Sequence, residues 1–425
     1  MQTIVMAKKI ILVIFLALVC GTVLFAQGEN LTLKVAVMGP GNQLYFWWGH
    51  IALIVEDSNT GRRDFYDYGI FSFDSENFFY NFAFGRLWYY CDVSDADRSM
   101  YVYKATNRDI FIYTLDLPPE TKLKVRDFAA FNVLPENKYY SYHHFRDNCS
   151  TRIRDIIDLA TDGQFSEQYK QETGRFTLRQ QVRRHTWFSP TADWFLNFLM
   201  GQVIDTPITV WEDMFLPSEV GKRIEDFWYT DINGVRRKLV SSSETVFKAK
   251  GRNAVLDVPR KQWPFELAFS LVLSVIFGFF FFLQAKKLHA GRILAGISMS
   301  VTGLFFGLVG TLLYFMSLFT NHDYTFHNAN MLFCSPLLLI AVPFGIGYAI
   351  TKKPEKFFIY GIMLRLIWLL SVLGIFLSML IKLLPWFFQD NLTDQMLMLP
   401  IALTFALQPV GLKDIIEKLL KRKKA

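Results

Sequence analysis

Cysteine is scarce in this sequence, with four among 425 residues, too few for a scaffold built from disulfides. Cys20 lies in an N-terminal apolar stretch and Cys334 in a long apolar run. Only Cys91 and Cys149 therefore fall in a segment of ordinary globular composition. Charged residues make up only 20% of the chain. The formal net charge of +7 does not point to nucleic acid, because much of the basic excess flanks apolar runs. What is abundant is apolar: 52% of residues are hydrophobic, 16% are aromatic and 42 are Phe. A chain this apolar and this long is not a single soluble domain.

The excess sits mostly at the end. From Phe265 onward, apolar stretches run approximately 265–285, 293–319, 331–350, 357–384 and 395–411. Each is near the ~20 residues a helix needs to cross ~30 Å of hydrocarbon, which predicts five crossings. Residues 28–262 have the mixed composition of a domain with its own core. Before them, Lys8 and Lys9, the apolar run Ile10 to Val19 and small residues up to Ala26 have the layout of a secretory signal. Leu24 is a poor residue two positions before a cut at Ala26, so an uncleaved anchor stays open, and Val19 disfavours lipid modification of Cys20. The expected domains are residues 1–27 as signal peptide or N-terminal anchor, 28–262 as an extracytoplasmic catalytic domain, and 263–425 as a transmembrane domain with a basic cytoplasmic tail.

Charge fixes the orientation. Lys286, Lys287 and Arg292, the segment Thr351 to Lys356, and the tail Lys413 to Lys424 carry almost all the Lys and Arg of the C-terminal half. The intervening loops, around Asn321 to Asn330 and Gln389 to Gln395, carry none. This is the positive-inside asymmetry, with residues 28–262 outside the cytoplasm. Arg365 and Lys382 lie inside the fourth run and are expected to snorkel toward its ends.

Within the outer domain, Leu31 to Val37 and Gly49 to Val55 read as strands, and Ser58 to Gly61 as a turn leading back into Asp64 to Tyr68. Tyr101 to Tyr103 and Asp109 to Leu115 also read as strands, and Glu120 to Leu134 as a helix. Ile153, Ile156, Ile157 and Ala160 share one helical face. Asp147 or Asn148 would cap that helix. Cys149 then falls in the first turn, where free backbone N–H groups and the helix dipole favour a thiolate.

A cysteine nucleophile needs a base. Of seven histidines, His50 stands out: it follows Trp47-Trp48-Gly49 and opens the apolar strand Ile51 to Val55. A third group should orient the imidazole; hairpin parity favours Asp67, then Asp64. His143 and His144 precede the helix and would line the entrance. A Cys91–Cys149 disulfide is the non-catalytic alternative, and a satisfied core histidine is the alternative for His50. Arg175, Arg179 and Arg183, with Arg184, form a stripe that suits anionic headgroups or a solvated helix face. The cluster of Trp187, Phe188, Trp194, Phe195, Phe198 and Leu199 is either core or an acyl groove.

A strand histidine, a polar residue on the partner strand and a later helix-opening cysteine resemble the circularly permuted, NlpC-type papain-like fold, in the order found in lecithin:retinol acyltransferase. More closely, Trp48-Gly49-His50-Ile51-Ala52-Leu53-Ile54-Val55, Tyr66-Asp67-Tyr68-Gly69-Ile70-Phe71 and Asp147-Asn148-Cys149-Ser150-Thr151-Arg152-Ile153-Arg154-Asp155 resemble motifs of the bacterial Lnb-type lipoprotein N-acyltransferases. That family also has an aspartate-histidine pair and spaced asparagines in an outer membrane loop. The matching stretch here is Asn321-His322-Asp323-Tyr324-Thr325-Phe326-His327-Asn328-Ala329-Asn330, with histidine and aspartate reversed, and the alternative is a plain polar loop.

The resemblance implies an α+β, circularly permuted papain-like domain followed by an all-α five-helix transmembrane domain in the inner membrane. It implies catalytic Cys149, His50 and Asp67, substrate binding by Asn328, Asn330, His322, Asp147 and Asn148, and no cofactor or metal. The activity it implies is transfer of a fatty acyl chain, through a thioester on Cys149, to the α-amino group of a lipoprotein's N-terminal lipidated cysteine. The donor would be a membrane phospholipid or a diacylglyceryl lipoprotein. The residues alone also allow a membrane-anchored cysteine peptidase or amidase acting on the cell wall, or a non-catalytic lipoprotein-binding module.

Overall fold

The computed structural model describes residues 28–410; the signal or anchor at 1–27 and the basic tail from Lys413 lie outside the described residues. Two compact units divide the chain. The first comprises residues up to 82, 86–178 and 207–254, and the second comprises 83–85, 179–206 and the residues from 255 onward.

In the first unit, β1 (Leu31–Met38), β2 (His50–Asp57), β3 (Arg62–Ile70), β4 (Trp88–Asp95), β5 (Ile110–Leu115), β6 (Tyr139–Ser141) and β9 (Val240–Phe247) form one sheet in the order β6-β4-β3-β2-β1-β5-β9. Every pairing in it is antiparallel. A separate ribbon pairs β7 (Trp228–Thr230) with β8 (Arg236–Lys238). The turn between β2 and β3 is built by Asp57, whose carboxylate accepts from the Asn59 N–H and the Thr60 hydroxyl, while Gly61 takes a φ of 71°.

Alternation along the central strands sends side chains to two apolar layers. Leu33, Val35, Ile51, Leu53 and Tyr66 meet the helices α3 (Pro119–Asn132) and α4 (Cys149–Ala160) on one face. Ala36, Ala52, Ile54 and Phe65 meet Met100 of α2 (Ala96–Ala105) on the other. The predicted face of α4 is the buried one: Ile153, Ile156 and Ile157 are each 1% exposed or less, and burial of such a side chain contributes about 2 kcal/mol. Tyr101 to Tyr103, expected to be a strand, lies in α2. Its start is fixed by Asp95, which accepts from the Arg98 N–H, and three alternating residues are too few to outweigh a capped helix.

Among the described residues, the second unit holds four segments long and apolar enough to cross a membrane: α7 (Trp263–Ala285), α8 (His289–Phe319), Ala329–Ile350, and α10 (Pro354–Ile381). The third of these begins as short 3-10 turns and becomes α9 only at Ala341–Ile350. The fifth apolar run forms α11 (Leu392–Ala406), 15 residues long and short for a full crossing. Gly296 and Gly310 of α8 sit so close to Gly345 and Cys334 that a side chain at either would collide with backbone, the close approach that packs helices in lipid. Arg365 and Lys382 do not snorkel outward. Arg365 donates to the Ala406 and Gln408 carbonyls and Lys382 to Gln395, because acceptors on and just beyond α11 lie within reach.

Candidate functional site

The first unit brings the three expected catalytic residues to one end of its sheet. Asn148, the N-cap of α4, accepts from the Ser150 and Thr151 N–H groups at 2.8 and 2.9 Å, and its own N–H donates to the Thr151 hydroxyl at 2.8 Å. This reciprocal cap fixes where the helix begins, which makes Cys149 its first residue. The Asn148 amide also donates to the His144 and Phe215 carbonyls. Asp147 forms a two-pronged ion pair with Arg152, at 2.5 and 2.7 Å. Both residues named as substrate ligands are thus engaged in presenting the helix start.

His50 opens β2 directly after Gly49, whose φ of 84° suits glycine. The register pairs Ala52 with Asp67 and Val55 with Asp64. Since residues 50 and 52 share a face, Asp67 stands on the His50 side and Asp64 does not. His50 Nε2 and Asp67 Oδ1 are 2.6 Å apart. Burial disfavours charge on His50, but the Asp67 carboxylate, through its charge and its hydrogen bond, opposes this, and the imidazole is held well above its usual value. Asp67 therefore favours the protonated form of His50.

The first turn of α4, which carries Cys149, packs against a break in β3 two residues beyond Asp67. At Gly69, φ is 84° and the β3–β4 register shifts between Tyr68 and Ile70. A Cβ placed there would lie 3.6 Å from the Cys149 Cβ. The strand backbone thus rests against the first turn of α4. Cys149 is half-buried and free, and Cys91 is free too, so the two form no disulfide. Cys91 is a buried core residue whose thiol donates to the Asn132 carbonyl at 2.9 Å, and burial pushes it up to about 11.

The sequence matches two family descriptions: the Lnb N-terminal periplasmic domain over residues 25–184 and the Lnb transmembrane domain over residues 262–407. The chain belongs to the Lnb family. It is a membrane protein with a periplasmic-type domain ahead of its membrane domain. No curated protein and no solved structure matches it.

The other expected site residues of this Lnb-type chain belong to the second unit. Asn328 donates to the Phe198 and Leu199 carbonyls and accepts from the Asn330 N–H and from Gln389. Asn330 donates to the Phe198 carbonyl and to Asp394 and accepts from Asn391. His322 is buried, with Nδ1 2.9 Å from the Tyr324 hydroxyl. Each asparagine amide is occupied by its own chain, tying the outer loop to the end of α6 (Pro190–Leu199). Arg179, on α5 (Leu178–Thr186), is fully buried and donates to Asp205, Asn197, Met200 and Gly201. Arg183 is also buried and donates to the Arg260 carbonyl. These two arginines of the stripe are neither a solvated face nor an open headgroup site, because carboxylate and carbonyl partners surround them. Trp194, Phe198 and Leu199 pack in this unit's core.

Two residues that sequence reasoning passed over join the site in the first unit. The Tyr103 ring stacks on the His50 ring, with centroids 6.1 Å apart and planes 26° apart. The Arg108 guanidinium lies 4.9 Å from the Tyr103 ring centroid and 4.6 Å from that of Phe46, with Nε donating to the Gly39 carbonyl. Tyr103 was hidden by its assignment to a strand. Arg108 precedes β5 with no motif around it.

Proposed function

We propose that this Lnb-family protein is a cysteine-dependent lipoprotein N-acyltransferase of the inner membrane, with a permuted papain-like catalytic domain outside the cytoplasm, a five-helix membrane domain, and Cys149, His50 and Asp67 as its catalytic group. The observation that carries this reading is the 2.6 Å His50–Asp67 bond beside a free cysteine that opens a capped helix. A histidine whose protonated form is favoured by Asp67, close to a thiol at a helix N-terminus, favours the thiolate, the reactive form.

The chemistry runs in two balanced halves. The Cys149 Sγ forms a bond to the ester carbonyl carbon of a donor lipid, the C–O bond breaks, and the departing alkoxide takes the proton of His50. The resulting thioester is then attacked by the acceptor's α-amino nitrogen; the neutral imidazole takes the amine proton, a C–N bond forms and the thiolate leaves. Asp67 keeps the ring oriented through both halves. Embedding donor and acceptor in one bilayer is what the membrane segments supply. In this proposal Asn328, Asn330 and His322 fix the outer loop near which those lipids arrive, and Asp147 and Asn148 position the cysteine.

The test is reconstitution of purified full-length protein with phospholipid and a diacylated lipopeptide. The expected product is the N-acylated lipopeptide, seen as a mass increase of one fatty acyl group. Peptide-bond cleavage of a cell-wall substrate without acyl transfer would overturn the reading in favour of an amidase.

A further inference from the structure

Arg108 is an unusual ion. It is 1% exposed, its Nη2 is buried without a hydrogen-bond partner, and no described carboxylate lies within ion-pair distance. A buried guanidinium without a counter-ion is costly. Its surroundings are aromatic: it lies against the rings of Phe46 and Tyr103, and Tyr103 stacks on the catalytic-group histidine. Tyr103 is half-buried, and its hydroxyl makes no hydrogen bond to a described residue. The charges that act on that hydroxyl are His50, Asp67, Arg108 and Cys149. Burial, the largest influence, together with Asp67 and Cys149, pushes the phenol up to about 12 against the opposing pull of His50 and Arg108. It therefore keeps its proton and is a donor at neutral pH.

Two groups with unused donors thus join the His50 cluster, Tyr103 stacked on the imidazole and Arg108 against the Tyr103 ring, with Cys149 near enough to act on both electrostatically. The chemistry proposed above needs a donor there, because attack of Sγ on an ester moves the carbonyl π electrons onto oxygen and creates an oxyanion. We propose that Tyr103 is a further catalytic residue whose hydroxyl donates a hydrogen bond to that oxyanion, and that Arg108 is a positioning residue that acts through the Tyr103 ring. The proton stays on the phenol; when the C=O re-forms and the C–O bond breaks, the hydrogen bond relaxes and His50 alone protonates the leaving alkoxide. A cation held against the ring makes the phenol a stronger hydrogen-bond donor. The inference rests on the thioester reading, and its test separates the two.

The test compares two reactions of Cys149 in the full-length protein. Iodoacetamide alkylation needs the thiolate but forms no oxyanion, whereas acylation by 4-nitrophenyl butyrate needs both. Tyr103→Phe is expected to slow acylation by roughly 10²–10³-fold and to leave alkylation within about twofold, while His50→Ala slows both. Arg108→Met should slow acylation less, and should add little in the Tyr103→Phe background, because it acts through the same hydroxyl. Equal acylation by wild type and Tyr103→Phe would overturn this inference alone. A parallel fall in both reactions would overturn it too, reducing Tyr103 to a support for His50. A wild-type protein alkylated at Cys149 but acylated by no ester would overturn the thioester reading and this inference together.

Discussion

Polar side chains cluster in both units but are used differently. Around Cys149, donors are left over: a free thiol, a half-buried phenol and a buried guanidinium nitrogen have no hydrogen-bond partner among the described residues. Around Asn330, most amides are matched to a carbonyl, a carboxylate or another amide, and the buried atoms left over, Asn391 Oδ1 and Asp394 Oδ1, are acceptors. A densely bonded buried network specifies a packing arrangement, whereas donors left unused beside a thiol mark where another molecule can bond. The contrast fits the proposed chemistry in the first unit and a placing role for the second, although both carry residues expected to touch substrate.

The comparison breaks most sharply at His50. His50→Ala should abolish acyl transfer, a loss of about four orders of magnitude or more, while leaving a folded, membrane-inserted protein measured by size-exclusion chromatography in detergent. Retained transfer would remove the Cys–His reading of the first unit. Next comes the orienting carboxylate: Asp67→Asn should lower turnover by roughly 10²-fold or more, and Asp64→Asn little, because Asp64 pairs with Val55 and binds Arg62 instead. Steady-state kinetics on a lipopeptide acceptor decide it, and a larger loss in Asp64→Asn would contradict the strand register's role.

A smaller and different effect is expected in the second unit. Asn330→Ala removes one donor from Asp394 and one from the Phe198 carbonyl, and takes away an acceptor of the Asn391 amide; it should cost about 1–3 kcal/mol of stability, read as a lower thermal midpoint, with Cys149 alkylation unchanged. A variant of normal stability but lost acyl transfer would show that Asn330 serves substrate rather than packing, and the contrast between the units would fail.

How much of this was legible in the sequence depends on the range of the interactions involved. Helix α4, its cap and the position of Cys149 follow from residues 147–160 alone, and the His50–Asp67 relation follows from a tight turn and strand parity, both local. The long apolar runs announce membrane segments, yet not that residues 329–340 coil as 3-10 turns or that the last run yields a 15-residue helix. Arg179 was not legible because its partners, Asp205 and the carbonyls at 197–201, meet it only after folding. Tyr103 and Arg108 escaped for the same reason: a ring on helix α2 that stacks on His50 of strand β2 leaves no spacing rule in the chain.

The measurement that tests the central claim most directly is the intact mass of the purified protein after incubation with phospholipid and no acceptor. The account predicts one added fatty acyl group on Cys149, released by hydroxylamine and by the lipopeptide amine, and absent in Cys149→Ser. An unmodified Cys149 in a protein that still N-acylates the lipopeptide, or full activity in Cys149→Ser, would contradict it.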